Sequence, residues 1–315
     1  MNFNSHRIAS ALLAVSFAAA APAALAASSC GKAPSGELTA ERIAAATPTQ
    51  EGFSLYEGAV WIKDALYFSD FAHSGNFPSR IRKLNADGTV TTAIEDSGSN
   101  GLAVDNQGNL IAATHKWKAL SRYSLADGKR TTIAGEYEGN VFNSPNDVTV
   151  AKDGTMYFTD PDYQRAAAPG GQPVTGIYRV GTDGKVTLLD GTRNKPNGIS
   201  LSPKQDVLYV NASDNILRAY PIVKGVAQTK GAKDLVKGLE SADGMAVDCH
   251  GNIYVTEHPA KRVRVFSPAG KELATIRVDA NITNAAFGGA DGKTLYLTGA
   301  NALWQVKLDV TGSAY

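Results

Sequence analysis

The chain has 315 residues, and 43% of them are hydrophobic, which is enough for a substantial core in one large domain or two ordinary ones. Its 31 basic and 30 acidic residues leave a formal net charge of +1, so there is no excess positive charge for nucleic acid or an anionic membrane surface. The 31 glycines exceed the usual share, which is typical of many tight turns. Composition therefore favours a small or neutral ligand and excludes a nucleic-acid-binding role.

The first residues have the pattern of an export signal. An apolar run over residues 8–21 follows a weakly positive start, and Ala-Leu-Ala at 24–26 offers a small-residue cleavage site. We therefore predict a signal peptide over residues 1–26 and a periplasmic or secreted protein that leaves the membrane after cleavage. A retained membrane anchor is the alternative, because the apolar run is nearly long enough to span a bilayer. Export would allow Cys30 and Cys249 to pair, but sequence alone does not place them within bonding range.

A repeated strand pattern extends over residues 51–315. Six units each contain an apolar run, a turn and a second apolar run, and the first large residue of the second run recurs at intervals of 42 to 52 residues. These residues are Leu66, Leu110, Met156, Leu208, Ile253 and Leu295. Units of this length, without helical periodicity, are typical of β-propeller blades. The sequence thus predicts an all-β, six-bladed propeller with four-stranded blades around a central channel.

One unit lacks a strand, and the N-terminal segment is predicted to supply it. The third unit shows the full set, at residues 148–151, 156–160, 176–180 and 186–190. The sixth unit ends soon after its third strand, 303–308. We expect Leu38 to Ala45, within the segment 27–50, to form the missing outer strand and close the ring, which removes a free sheet edge. A helix is the alternative, because residues 39–42 (Thr-Ala-Glu-Arg) resemble a capping box.

A residue with a side-chain oxygen stands just before the first strand of every unit, and we call these six the head residues. They are Glu57, Asn100, Asn146, Asn197, Asp243 and Asn284. Strand direction places all six at the top of the channel, around one axis. A ring without histidine or cysteine favours Ca²⁺, with Mg²⁺, Mn²⁺ and Zn²⁺ as alternatives. The other interpretation is that Asn-Gly and Asp-Gly pairs at three of these positions only form turns, which does not explain Glu57 or Asn146.

Loops on the top face contain the remaining site candidates. His115, Tyr163 and His258 follow second strands, and the loop 166–173 is long enough to act as a lid. We expect these three side chains, together with Asn100 and Asn284, to bind substrate or support the metal ligands. A single histidine is, however, more often structural. Asp147 is expected to point away from the channel by strand alternation and to orient a neighbouring ligand.

Four short motifs together resemble a known family. They are Tyr56-Glu57-Gly58-Ala59-Val60-Trp61, Ser144-Pro145-Asn146-Asp147 with Phe158-Thr159-Asp160-Pro161, Pro196-Asn197-Gly198, and Ala242-Asp243-Gly244-Met245. In this order and at blade spacing they are similar to the gluconolactonase and senescence marker protein (regucalcin) family, from about residue 50 to residue 315. The resemblance implies a propeller lactone hydrolase with one catalytic divalent cation. Its ligands then fall on the head residues Glu57, Asn146, Asn197 and Asp243. Some animal members have a substrate-binding arginine where this chain has Ser144.

Together these patterns predict an exported, metal-dependent hydrolase that opens a sugar lactone such as gluconolactone. Asp243 is expected to be both a metal ligand and the base that activates water, because Ca²⁺ alone acidifies water weakly. A ligand-binding propeller with a structural Ca²⁺ is one alternative. A phosphotriesterase or arylesterase is another, because diisopropyl fluorophosphatase resembles the same ligand set. No Gly-x-Ser-x-Gly elbow occurs, so covalent serine catalysis is not expected.

Overall fold

The structure, a computed structural model, describes residues 1, 30–43 and 53–313. Most of the predicted signal peptide and residues 44–52 therefore lie outside the described residues. Within the described ranges, strands dominate, and one short 3-10 helix occurs at Arg165–Ala167. No helix in this part of the chain has the length and apolar character needed to span a membrane.

Short antiparallel sheets follow one another along the chain, each forming one blade. Two strands, β1 (Gly36–Thr39) and β2 (Glu41–Arg42), precede them. Blade I contains β3 (Ser54–Ile62), β4 (Ala65–Ala72), β5 (Ser79–Leu84) and β6 (Val90–Ile94). Blade II contains β7 (Ser99–Val104), β8 (Leu110–Thr114), β9 (Ala119–Tyr123) and β10 (Arg130–Ala134), followed by the hairpin β11 (Glu136–Tyr137) and β12 (Asn140–Val141). Blade III contains β13 (Val148–Val150), β14 (Met156–Asp160), β15 (Gly176–Val180) and β16 (Val186–Asp190).

The second half of the chain continues the pattern. Blade IV contains β17 (Pro196–Leu201), β18 (Val207–Ala212), β19 (Ile216–Val223) and, after the short β20 (Val226–Ala227), β21 (Lys233–Lys237). Blade V contains β22 (Ala242–Val247), β23 (Ile253–Glu257), β24 (Arg262–Phe266) and β25 (Glu272–Arg277). Blade VI contains β26 (Ile282–Gly288), β27 (Thr294–Gly299) and β28 (Ala302–Lys307). The predicted six-bladed, all-β propeller is confirmed, and its first strands line a central channel.

The N-terminal segment completes two blades rather than one. β2 pairs antiparallel with β28 and supplies the outer strand that blade VI lacks. β1 instead runs parallel to β25, with Leu38 opposite Ile276, as a fifth strand of blade V. The prediction of one strand from Leu38 to Ala45 is therefore wrong for its first residues. Buried Ala40 separates the two strands, and its N–H donates to the carbonyl of Arg277, so the chain passes from one blade edge to the next at this residue.

A disulfide holds the same segment at the bottom of the propeller. Cys30 and Cys249 are bonded, with 5.8 Å between their Cα atoms, across a sequence separation of 219 residues. Main-chain hydrogen bonds of 3.1 Å connect Thr311 to both cysteines, so the C-terminal residues join the same junction. In the chain-entropy model, closing a loop of this length stabilises the fold by about 5 kcal/mol.

The hydrophobic core is divided among the interfaces between blades. Six clusters of buried side chains occur in the described residues, one between each pair of neighbouring blades. On β8, Leu110 and Ala112 pack toward blade I, whereas Ile111 and Ala113 pack toward blade III. Alternate side chains of one strand thus face opposite neighbours, and both faces of an inner strand must be apolar. This explains the nearly continuous apolar runs in the sequence.

Deleting residues 30–43 should cause aggregation, because it exposes the edges of β25 and β28. Size-exclusion chromatography and a thermal melt would measure the effect. The matched control is the Cys30→Ala/Cys249→Ala double variant, which loses only the bridge. We expect that control to stay soluble and to lose about 2–5 kcal/mol in the free energy of unfolding. A deletion variant that behaves like the double variant would show that these strands do not protect the sheet edges.

Candidate metal centre and active site

A ring of hydrogen bonds joins all six blades at the level of the head residues, and we call it the inter-blade belt. Each bond runs from one blade to a main-chain carbonyl of the next, at the head residue or the residue before it. The bonds are Ser69 Oγ to Asn100 O (2.6 Å), Gly101 N to Asn146 O (2.6 Å), Thr159 Oγ1 to Asn197 O (2.7 Å), Asn211 Nδ2 to Asp243 O (2.6 Å), Thr256 Oγ1 to Thr283 O (2.6 Å) and Thr283 Oγ1 to Tyr56 O. Because these carbonyls are fixed, the adjoining head side chains have defined positions around the axis.

The Asn-Gly and Asp-Gly pairs lie in strands, so the turn interpretation is wrong for them. Gly101, Gly198 and Gly244 belong to the first strands β7, β17 and β22. A Cβ on Gly198 would lie 2.2 Å from the Asp243 carbonyl oxygen, and one on Gly101 would lie 2.5 Å from the Asn146 carbonyl oxygen. Glycine is therefore required here by the close approach of the next blade.

Register shifts interrupt the first strands at the head residues. They occur between Glu57 and Val60, Ser99 and Leu102, Pro196 and Ile199, Ala242 and Met245, and Ile282 and Asn284. A shift of this kind breaks the strict alternation of side chains, so neighbouring residues no longer face opposite sides. It allows a strand to aim a polar side chain at the axis while the rest of the strand packs in the core.

Three carboxyl groups interact at the top of the channel, of which Glu57 and Asp147 are buried and Asp243 is partly exposed. Burial, followed by the charges of Asp243 and Asp147, holds the pKa of Glu57 well above its ordinary range. Burial and the Asp147 charge raise the pKa of Asp243 to about 8. Burial raises the pKa of Asp147 to about 7. The three groups are close enough to repel one another when ionised, so the site attracts either protons or a cation.

Asp147 lies in this cluster, contrary to the expectation that it points away from the channel. It lines the cavity at the axis, where its carboxylate accepts from the N–H groups of Val148 (3.0 Å) and Ile199 (3.2 Å). Asn146 N donates to Thr159 O and Thr159 N donates to Asp147 O, so two consecutive residues face the same partner. This local irregularity explains why simple alternation failed.

Three of the four amide head residues divide into two groups by what their oxygens do. The side-chain oxygens of Asn100 and Asn197 are buried and have no hydrogen-bond partner. The Asn197 amide instead donates to the Asp243 carboxylate. In contrast, the Asn284 oxygen accepts from the N–H of Ala285 at 2.8 Å, and its amide donates to Glu57 and Asp147. Asn197 thus keeps an oxygen free for a cation, whereas Asn284 supports the carboxylates.

The predicted ligand set fits a hard divalent cation. Unpartnered buried amide oxygens next to mutually repelling carboxylates form an environment that a cation would complete. Within the described ranges, no group of three or more His, Cys, Asp and Glu side chains is arranged to hold a metal by itself. A metal at the head residues would therefore need amide oxygens as well as carboxylates, and the buried, unpartnered oxygen of Asn197 is one such donor.

Asp243 is the most accessible of the six head residues. The other five are buried, whereas the Asp243 side chain is 15% exposed. His258 lies beside it, with 3.7 Å between Nδ1 and Oδ2, and the His258 ring also donates to the Ile282 carbonyl at 2.9 Å. Tyr163 is a partly exposed residue whose hydroxyl contacts Ser213 Oγ at 2.8 Å. Partial burial and then the Asp243 charge raise its pKa, so its hydroxyl lies within electrostatic range of Asp243. The structure thus brings Tyr163 and His258 to the site.

His115 and Ser144 lie within the packing of the top loops. The His115 ring is fully buried between Phe71 and Phe77, and its Nε2 donates to the Phe77 carbonyl at 2.8 Å. Burial lowers the pKa of His115 to about 4, so the ring is neutral. The Ser144 hydroxyl donates to Pro161 O at 2.7 Å and is also buried. Ser144 therefore stabilises its own loop.

The loop 166–173, predicted to be a lid, is attached to the β11–β12 hairpin. Gln172 is buried, and its amide donates to the carbonyls of Tyr137 (2.9 Å) and Asn140 (2.6 Å). The loop follows β14 on the top face, on the same side as Tyr163. Its position agrees with the prediction, while its role as a lid stays a prediction.

The side chains of the inter-blade belt were missed in the sequence analysis. Ser69, Thr159, Asn211 and Thr256 each stand three residues after the landmark of their unit, inside an otherwise apolar run. A polar residue that recurs at one position of a buried strand must find a partner, because burial without a hydrogen bond is costly. This periodic exception to the apolar pattern was the available signal.

Below the head residues, the channel is a cavity of about 310 Å³ with a mixed lining of polar and apolar residues. Val104, Val150, Val247 and Phe287 line it, while Asp147 and Asn284 stand at its upper end. The lower side of the carboxyl cluster thus borders a cavity within the channel, which Asp147 itself lines.

The fold is a propeller, and carboxylates and amide oxygens converge at one mouth of its channel. These features are those of a class of propeller proteins that bind a small ligand at that mouth. The SMP-30/Gluconolactonase/LRE-like region family matches residues 55–301. The chain belongs to this family, and the protein is a lactone hydrolase.

Individual relatives agree with this assignment. The chain is 28% identical to the gluconolactonase of Zymomonas mobilis over 290 residues, covering 81% of this chain and 79% of that protein. A gluconolactonase structure from Xanthomonas campestris matches with a TM-score of 0.73 and 27% identity, covering 89% of this chain and 100% of that one. The calcium-binding protein regucalcin from Agrobacterium tumefaciens matches with a TM-score of 0.69 at 20% identity, covering 90% and 98%. The last likeness supports the fold alone.

In metal-free protein, the free energy of unfolding should fall as the pH rises from about 6.5 to 8.5. Asp147 and Asp243 have folded pKa values of about 7 and 8, far above those of the unfolded chain. They therefore favour the folded state when protonated and lose this contribution as they ionise. The pKa values of His115 and His258 are lowered by burial, so they oppose the decline slightly until the unfolded histidines have lost their protons, near about pH 7.5. Asp160, whose pKa burial raises to about 7, adds to the decline.

Urea unfolding with a chelator at several pH values would measure this decline. The Asp147→Asn variant is the control, and its curve should be flatter. Added Ca²⁺ should reduce the decline in the wild type. A wild-type stability that stays constant or rises over this range would contradict the assigned carboxyl cluster.

Proposed function

We propose that the protein is an exported, divalent-metal-dependent lactonase that opens a sugar lactone such as gluconolactone. The convergence of Glu57 and Asp243 with the unpartnered oxygen of Asn197 at the channel mouth supports metal dependence. Family membership and the gluconolactonase relatives support the substrate class. Asn146 completes the proposed ligand set.

Ca²⁺ is the proposed ion. Carboxylate and amide oxygens are hard donors, and Ca²⁺ accepts more of them, in looser geometry, than Mg²⁺ does. Zn²⁺ is commonly bound by thiolate and imidazole groups, and the six head residues include no cysteine or histidine. Mg²⁺ and Mn²⁺ remain the competitors to be tested.

The chemistry follows from the positions of the side chains. A divalent cation held by Glu57, Asn146, Asn197 and Asp243 would supply positive charge to stabilise the negative charge that develops on the lactone carbonyl oxygen. Asp243 accepts a proton from water as that water attacks the carbonyl carbon. The ring C–O bond then breaks, and the proton passes to the departing oxygen, which gives the open hydroxy acid. Asp243 suits this role because it is the most exposed of the six head residues and can therefore meet water and substrate from the top face.

Export is part of the same proposal. The Cys30–Cys249 disulfide is typical of an oxidising compartment, and the signal-like pattern over residues 1–26 gives a route to it. Intact-mass measurement of protein recovered from the periplasm and the medium would test cleavage. Material with an intact N-terminus in the cytoplasm would contradict it.

A metal analysis combined with a hydrolysis screen tests the central proposal. Gluconolactone, an aryl ester and an organophosphate would be assayed before and after chelation, with Ca²⁺, Mg²⁺ or Mn²⁺ added back. We expect lactone hydrolysis that chelation abolishes and Ca²⁺ restores. Preference for the ester or the organophosphate would favour an arylesterase or phosphotriesterase. Full activity in chelator would overturn the metal dependence.

Asp243→Asn should lower kcat by about 10²- to 10⁴-fold, because it keeps a ligand oxygen but removes the base. Glu57→Gln should mainly weaken metal binding and regain activity in excess Ca²⁺. Calorimetric metal titration and steady-state kinetics at saturating Ca²⁺ would separate the two effects. If metal-loaded Asp243→Asn hydrolyses the lactone at a near wild-type rate, another base must act, and His258 is the next residue to test.

A further inference from the structure

A buried lysine connects two top loops that belong to different parts of the chain. Lys118 is only 3% exposed, although it lies in a short turn of blade II. Its ammonium donates to the carbonyl oxygens of Asn143 (2.7 Å) and Arg165 (3.0 Å). Asn143 precedes β13, and Arg165 starts the 3-10 helix after β14. One positive charge thus holds the entry to blade III and the following loop against blade II.

A buried carboxylate holds the same entry loop from the other side. Asp160, at the end of β14, is fully buried. Its oxygens accept from the N–H groups of Asn143 and Ser144, both at 2.8 Å. The carbonyl of Asn143 therefore contacts the cation and its N–H contacts the anion. Hydrogen bonds to charged groups are stronger than neutral ones, so this pair fixes the loop better than neutral contacts would.

The clamped loop leads directly to a proposed metal ligand. Asn146 lies three residues after Asn143, and its own N–H donates to Thr159 O, beside Asp160. The side chain of Asn143 adds a hydrogen bond to Val174 O at 2.9 Å. The loop between Asn143 and β13 is thus fixed by hydrogen bonds to buried partners before any ligand binds.

We propose that Lys118 is a positioning residue for the metal ring, which with Asp160 fixes the loop that presents Asn146. The inference rests on the proposed metal-dependent function, because the role assigned to Lys118 and Asp160 is to hold the metal ligand Asn146 in place. A ligand that is already ordered loses less conformational entropy when the ion binds, so the affinity is higher. Lys118 also fixes the position of the residue that precedes the loop 166–173, because its ammonium donates to the Arg165 carbonyl.

The charge of Lys118 also affects the protonation of Asp160. Burial raises the pKa of Asp160 to about 7, and the Lys118 charge acts against this rise. Arg165 acts in the same direction, and Tyr178 is the other titratable group that responds to the Asp160 charge. Without Lys118, a larger fraction of Asp160 would be protonated at neutral pH. A protonated carboxyl is a poorer acceptor for two N–H groups at once.

The test compares Lys118→Met with Asp160→Asn, their double variant and the control Lys116→Met. Met keeps the apolar stem of Lys118, and Lys116 is a neighbouring, more exposed lysine paired with Asp96. In Ca²⁺ titrations, each of the first two variants should raise the dissociation constant about 10- to 100-fold. At saturating Ca²⁺, kcat should recover to near the wild-type value. The double variant should bind Ca²⁺ about as tightly as the single variant with the lower affinity, because both substitutions act on one loop.

Hydrogen exchange in metal-free protein gives an independent measurement. Amides in residues 142–146 should exchange faster in Lys118→Met and Asp160→Asn, and at the wild-type rate in Lys116→Met. If Lys118→Met does not fold, Asp160→Asn tests the same loop from the other side. If the wild type binds no Ca²⁺, the metal proposal fails, and exchange alone decides whether Lys118 orders the loop. Folded variants with unchanged exchange and unchanged Ca²⁺ affinity would overturn the inference.

Discussion

The arrangement of the site depends on the hydrogen bonds that join each blade to the next at the head of the channel. Six separate sheets meet around one axis, and small differences in their tilt would move the head side chains apart. The inter-blade belt prevents this, because Ser69, Thr159, Asn211 and Thr256 each bind a carbonyl of the following blade. Stability and site geometry are therefore provided by the same contacts.

The carboxylates at the head of the channel repel one another and so destabilise the metal-free protein. Glu57, Asp147 and Asp243 are close together and poorly solvated, and they have raised pKa values for that reason. The belt and the glycines that allow close approach keep them from separating. Such strain between like charges is typical of functional sites, where a ligand supplies the missing charge.

Sequence patterns predicted the blades and the head residues because both repeat. The landmark spacing located the blades, and an oxygen at one position of each blade located the ring. The features that the sequence did not predict each occur only once in the chain and have no equivalent in the other blades. Asp147 broke the alternation through a local irregularity, β1 joined blade V because the sequence does not mark the bend at Ala40, and Lys118 contacts residues 25 and 47 positions away. Such contacts depend on which blades become neighbours, which composition and periodicity do not encode.

The placement of β2 also affects the order in which the protein can fold. Glu41 and Arg42 pair with Gln305 and Trp304, near the other end of the chain. Contacts between residues so distant in sequence require a long loop to close, and they form late. Blades II to IV can assemble from adjacent segments as synthesis proceeds, but blade VI stays open until its last residues are available. Until β2 pairs with it, β28 has a free edge, so folding is most vulnerable to wrong pairing before this contact forms.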